Sequence, residues 1–335
     1  MPAQERPLTV RAASVFDVAR AAGVSHQTVS RVLNSHPSVR ESTRAKVLDA
    51  MRELDYRPNL AARTLSSKRS RTLGVISTSR GEFGPASSIS AITEAARSRG
   101  YSTIIEYADE LSATSVDAAL TSLAELAVEG IVAVAPQTRV LEALQSTRTS
   151  IPFVTVQNRE TIDGVEVASD QFRGARLATE HLLRLGHRKI VHLAGPIDWL
   201  DATSRLHGYE HAMTDRGLPP QHVNAGAWSP AAGYQAGREL LAGEATAIFC
   251  SNDQLALGVL HAAHELGVEV PGRVSIVGFD DIPEAAHFWP PLTTVRQDFS
   301  VAGRRCVEQL LDDDDAMPTP TLALVHRAST APVPA

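Results

Sequence analysis

SVFDVARAAGVSHQTVSRVLN, Ser14 to Asn34, predicts two short helices joined by a tight turn. Ser14-x-x-Asp17 is a capping box, which starts a helix near Val15. Val18, Ala19 and Ala22 give that helix an apolar stripe at helical spacing. Gly23 ends it, because glycine takes the left-handed φ of such a bend at little cost. Ser25 caps the second helix. Val29, Val32 and Leu33 can face inward, leaving His26, Gln27, Ser30, Arg31 and Asn34 outward. That outer face holds hydrogen-bond donors and acceptors and no acid, as a helix lying in a DNA major groove requires. A solvated helical hairpin with no DNA role would use the same caps.

Working outward, residues 1–13 form a loose basic tail. A third helix runs roughly from Glu41 to Leu54, with Ser38-x-x-Glu41 as its capping box and Val47, Leu48, Met51 and Leu54 as its apolar face. Three helices can then close a small core over 14–58. Thr43 and Arg44 sit near the start of the third helix, where they could meet phosphate, a contact that positions a protein without reading sequence. Pro58 disfavours α geometry at Arg57. The segment 59–71 that follows has good helix formers and little to pack against, so in isolation it is marginal as a helix. The charge is divided unevenly. Residues 1–72 carry 13 Lys+Arg against 6 Asp+Glu, and the remainder carries 19 against 32. A basic head on an acidic body implies that the head alone meets a polyanion.

From Thr72 onward the pattern alternates strands and helices. TLGVIS, STIIEYA, EGIVAVAP, PFVTVQ, KIVHLAG, AIFCSN, VSIVGFDD and LTTVRQD read as strands. Helical stretches separate them, among them Ala86–Arg99, Ser169–Leu185 and Ala202–Arg216. Such alternation predicts parallel sheets covered by helices, and continuous apolar runs such as IVAVA fit strands buried on both faces. The strands are too many for one small sheet, so two lobes are expected. The acid run Asp312–Asp315 reads as a solvated loop.

Other chemistry is not visible. No apolar run could span a membrane, and MPAQERPLTVRAAS lacks the apolar core of an export signal, so the expected location is the cytoplasm. Cys250 and Cys306 stand far apart in apolar contexts and read as reduced core residues. There is no nucleophile elbow, phosphate-binding glycine loop or paired metal-ligand motif, so neither an enzyme, a cofactor nor a metal is expected. Asp280 and Asp281 are adjacent on a strand and would point to opposite faces. His187, after Gly186, reads as a partner of a helix C-terminus.

GVSHQTVSRVLN followed by TRAKVLDAMRELDYRPNLAARTL resembles the DNA-binding headpiece of the LacI/GalR family of bacterial transcriptional regulators. RLATEHLLRLGHRKIVHLAGP, SRLHGYEHAM, CSNDQLALGVL, VSIVGFDDIPEAAHFWPPLTTVRQD and RAST resemble that family's body, which is like a type I periplasmic sugar-binding protein. The resemblance covers about residues 14 to 331. It implies an all-α helix-turn-helix headpiece, a hinge helix, and an α/β two-lobed core with parallel sheets. The effector-binding and dimerisation domain would span 72–331, with one lobe at about 72–167 and 296–320 and the other at about 168–295 and 321–331. The resemblance adds Val15, Phe16, Ser25 and Thr28 to the DNA-contacting set, and makes Leu65 the apolar wedge of the hinge, with Asn59 and Ala62 beside it. It implies double-stranded operator DNA and a homodimer as partners; nothing after Thr330 could supply a heptad helix for a tetramer.

Ligands of open α/β lobes lie beyond the carboxyl ends of the strands. Arg205, Trp228, Asn252, Asp280 and Phe299 fall at such ends and match effector-contacting positions of the family, with Gln297 adjacent. Gly84 and Pro85 lie in the first strand–helix loop of the other lobe. Acids, amides and a guanidinium with an aromatic face suit a sugar, so a mono- or disaccharide is the expected effector; a purine, or a corepressor that strengthens DNA binding, is the alternative. Gln157 stands where many members have Asp, Asp201 where a small hydroxyl residue is also found, and Glu82 in a loop that can be apolar, so the same sugar cannot be assumed. Asn252 and Asp253 could equally cap the next helix, and Trp228 and Phe299 could be core.

Overall fold

Ser14 caps the first helix through both halves of its box. In the computed structural model its Oγ accepts the Asp17 N–H at 3.3 Å, and the Asp17 carboxylate accepts the Ser14 N–H at 2.9 Å. Helix α1 runs Val15–Ala22 and stops at Gly23, whose φ is 64°. Helix α2 spans His26–Leu33, with the Ser25 hydroxyl accepting the Thr28 N–H at 3.2 Å. Helix α3 spans Glu41–Glu53. Val18, Ala19, Val29, Val32, Val47 and Ala50 bury the shared core.

Two expectations for α3 need correcting. Its N-cap is Arg40, which makes no side-chain cap bond, while the Ser38 hydroxyl is bound to His36 Nδ1 at 2.8 Å. Ser38 stands too far back once the helix begins at Glu41. Its buried face is also rotated: Leu48 is 44% and Leu54 36% exposed, and Ala50 takes the inner position. A small residue fits there because α1 packs closely on α3.

The structure describes residues 13–33, 36–56, 69–79, 81–108, 113–134, 137, 140, 150–157, 159–162, 165–312 and 321–333. Asn34, Asn59, Ala62 and Leu65, and most of the tail and hinge segment, lie outside them. The chain divides into two compact units, Met1–Ser70 and Arg71–Ala335.

The second unit begins with β1 (Thr72–Ser77), α4 (Phe83–Ser98), β2 (Ser102–Tyr107), α5 (Ala113–Glu125), β3 (Gly130–Val134) and β4 (Phe153–Thr155). These strands form a parallel sheet in the order β2-β1-β3-β4. Leu73 and Val75 face α4, whereas Ile76 packs with Leu123 of α5, so β1 is apolar on both faces for the expected reason. A hairpin of β5 (Arg159–Ile162) and β6 (Val165–Ala168) leads into α6 (Ser169–Arg184).

The second layer holds β7 (Ile190–Ala194), α7 (Leu200–Thr214), β8 (Gln221–Asn224), α8 (Pro230–Ala242), β9 (Ala247–Cys250), α9 (Asp253–Glu265), β10 (Ser275–Asp280) and β11 (Thr293–Arg296). The chain then returns through α10 (Phe299–Asp312), which packs on α4 and the first sheet, and ends in β12 (Ala323–Val325), antiparallel to β11. The six-stranded order is β12-β11-β10-β9-β7-β8. Cys250 and Cys306 are buried free thiols. Among the described residues, no helix is long and apolar enough to cross a membrane.

Candidate functional site

In the first unit, His26, Gln27 and Arg31 are exposed along α2. Ser30 and Thr28 are half-buried at its flanks, with Thr28 bonded to Ser25 at the helix start. Phe16 is 60% exposed, with its ring 5.3 Å from that of His26. Val15 instead packs against the bundle core. Thr43 is half-buried near the start of α3.

In the second unit, all ten sequence-assigned pocket residues line one cleft between the two sheets. Gly84 and Pro85 come from the first turn of α4 and Gln157 from just beyond β4. Asp201 and Arg205 come from the first half of α7, Trp228 from beyond β8 and Asn252 from beyond β9. Asp280 ends β10, and Gln297 and Phe299 follow β11. Parallel strands bring their carboxyl ends to one rim, so residues far apart in sequence meet there. The space they surround, including the part open to solvent, is about 960 Å³.

Arg205 is the hub of this cleft. It is 5% exposed, and its Nε donates to Gln171 Oε1 at 2.9 Å. One terminal nitrogen donates to the Ser251 carbonyl, and the other lies 3.6 Å from Asp280. Its guanidinium stacks 4.0 Å from the Phe279 ring centre and 5.5 Å from that of Trp228. Gln297 donates to Asp280 at 2.7 Å and accepts from Gln171 at 2.6 Å. A buried cation held on every side has one usable orientation, which makes Arg205 a fixed fork.

Burial pushes the carboxyl groups up. Asp280 rises to about 6 through desolvation, held back by Arg205 and the Gln297 bond. Asp201 also rises to about 6 through desolvation; Arg205 lowers it, and Asp170 and Asp280 raise it. Asp170 rises for the same first reason. Several buried polar atoms in the cleft have no protein partner: Gln157 Oε1, Asp170 Oδ1, Asp201 Oδ1 and Trp228 Nε1. A buried polar atom left unsatisfied is costly, so such a cluster marks where a polar ligand would be held.

Aromatic rings flank these groups. Trp228 meets Trp199 edge-on at 5.4 Å, and Phe83 meets Phe299 edge-on at 5.8 Å. Gly195 makes room for the indole, since a Cβ there would stand 2.3 Å from Trp228 Cη2.

Asp170, Gln171, Trp199 and Phe83 were missed by the sequence reading. Asp170 and Gln171 open α6 directly after β6, and that strand-to-helix step was the available signal. Glu82 also lines the cleft and is bonded to Ser79. Asn252 lines the cleft and is also a helix cap. It caps α9 by accepting the Leu255 N–H at 2.8 Å, and its amide donates to the Trp228 carbonyl at 3.3 Å. Asp253 is structural: it accepts from Thr294 at 2.6 Å and from the Ile282 N–H at 2.9 Å, pinning the loop after β10. Asp281 turns away from the cleft to Arg296 and Arg327, each at 2.6 Å. His187 corrects its expectation. It is buried against Thr246, Ser275 and the Ala331 carbonyl, and so ties the C-terminal segment to the sheet.

Comparison with known proteins places both units. Residues 14–59 match the model of bacterial regulatory proteins of the lacI family, and residues 179–330 match a periplasmic binding protein-like domain. The lactose operon repressor of Escherichia coli (strain K12) is 35% identical over 303 residues, 89% of this chain and 84% of that protein. The HTH-type transcriptional repressor PurR of Haemophilus influenzae (strain Rd) is 34% identical over 305 residues, 90% of each. The crystal structure of the lac repressor dimer bound to operator and the anti-inducer ONPF superposes with a TM-score of 0.84 at 32% identity, covering 96% of this chain and 100% of that one.

Proposed function

This chain belongs to the lacI family of bacterial regulatory proteins and is a DNA-binding transcriptional repressor, and from that premise we propose that a sugar bound in the cleft releases it from a palindromic operator. A homodimer would present two copies of α2 to the operator half-sites, with spacing set by its two-fold symmetry. His26, Gln27 and Arg31 would read base edges, Arg31 preferring guanine.

One observation carries the sugar reading: unpartnered acceptors and a donor converge beside an indole in a single cleft. Sugar hydroxyls both donate and accept, and the C–H face of a ring packs on an aromatic side chain. The cleft lies between two lobes of one unit, so a ligand that favours one lobe arrangement biases whatever state that arrangement supports. An effector that weakens DNA binding by some factor has its own binding weakened by the same factor on DNA.

A purine-responsive regulator is the second reading, favoured by the similarity to PurR and by Phe83, Trp199, Trp228 and Phe299 around the cleft. The two are separated by calorimetric titration of the purified protein with sugars and with purines. Binding of a sugar that Arg205→Ala abolishes supports the first reading; binding of a purine alone overturns it.

A further inference from the structure

Acid outweighs base in the ligand cleft. Asp170, Asp201 and Asp280 stand around Arg205, while Arg305 on the other lobe is half-exposed. Arg205 and Gln297 serve Asp280. Asp170 uses one oxygen to accept from Gln171 at 3.0 Å, and its other oxygen is buried with no protein partner. Asp201 leaves Oδ1 buried and unpartnered, although the Gln157 side chain bonds its carboxyl group. An ionised carboxylate only accepts hydrogen bonds, and a buried charge is costly unless it is both bonded and balanced. A neutral hydroxyl would satisfy the bond and leave the charge.

Resting on the sugar reading above, we infer that the cleft takes a sugar carrying a protonated amine, and that Asp170 and Asp201 receive the ammonium. An ammonium group offers three N–H donors and one positive charge, which meets both deficits at once. Gln157 Oε1 and Trp228 Nε1, also unpartnered, remain for hydroxyls: the amide oxygen accepts and the indole donates. The two acids occupy the first turns of α6 and α7. Burial raises the pKa of both and so disfavours their charged forms, a penalty that an ammonium bound beside them offsets.

The test is calorimetric titration of the full-length protein with hexose pairs that differ only in an amino group for a hydroxyl at ring carbon 2, 3 or 6. We expect one amino member to bind roughly 10- to 100-fold more tightly than its hydroxyl partner. Asp201→Asn should reduce that preference to less than about threefold and raise affinity for the hydroxyl partner, a gain that a misfolded variant cannot imitate. Asp170→Asn should act in the same direction. Hydroxyl sugars that bind as tightly as their amino partners would overturn the inference while leaving the sugar reading standing. So would an amino preference that survives both substitutions. Binding of a purine with no sugar of either kind would overturn the sugar reading itself.

Discussion

Arg205 and Asp280 face each other at 3.6 Å with both side chains at least nine-tenths buried, the one on helix α7 and the other at the end of strand β10. Asp280 has φ 109°, a conformation that an L residue rarely adopts, and Asp253 fixes the loop that follows it. Backbone strain of this kind persists where surrounding bonds over-determine it, and it concentrates at binding sites. Arg205→Ala would leave Asp280 and Asp201 without their counter-charge. Breaking one side of a buried pair costs about 3–5 kcal/mol, so the melting temperature should fall and ligand binding should be lost. Arg205→Lys should not rescue binding, because an ammonium cannot reproduce the fork to Gln171 and Ser251. Thermal melts and calorimetry of both variants check this.

Gly195→Ala should disturb Trp228 specifically. The added methyl would meet the indole at 2.3 Å, too close for any rotamer-preserving adjustment. We expect ligand affinity to fall roughly 10-fold or more and the tryptophan emission maximum to shift. An unchanged spectrum with unchanged affinity would show that the indole does not form the pocket wall.

His192 predicts an acid-side loss of stability. Its Nδ1 donates to the Phe249 carbonyl at 2.9 Å, and its ring stacks on Phe249 and Tyr209. Burial lowers its pKa to about 3. A folded-state pKa below the unfolded value means that the unfolded chain binds more protons. The stability from neutral His192 is therefore present above about pH 6.5 and is lost as pH falls toward 3. His192→Asn keeps a donor near Nδ1 and removes the titration. Urea denaturation should find this variant less stable than wild type at pH 7.5, with the gap narrowing by roughly 1–2 kcal/mol at pH 5.5.

Arg31→Ala should relax preference at one operator base pair at a cost of roughly 1–3 kcal/mol, the worth of a bidentate base contact. A systematic set of single-substitution duplexes in a binding assay measures it. Equal weakening on every duplex would instead assign Arg31 to phosphate.

Local rules made much of this molecule legible in its sequence. Ser14, Asp17, Gly23 and Ser25 each act within three or four residues, so their caps and bend could be read directly. Strand ends were legible because continuous apolar runs stop there, and the ten cleft residues followed from strand ends and the family resemblance together. Long-range partners were not. Gln171 reaches Arg205 and Gln297 across 34 and 126 residues, and no local pattern announces such a link. The buried face of α3 went astray because packing chose Ala50 over the larger Leu48, and Ser38 because the helix starts at Glu41 with Arg40 as its cap, leaving the Ser38 hydroxyl to His36 two residues before it.

The central claim is that occupancy of the cleft controls operator binding. Fluorescence anisotropy of a labelled palindromic duplex, taken from upstream of the protein's own gene, tests it most directly. Titrating a sugar that binds the cleft should lower operator affinity at least about 5-fold, within the usual range of allosteric coupling, and Arg205→Ala should abolish the response. Operator affinity that stays constant while calorimetry shows the cleft filled would contradict the account.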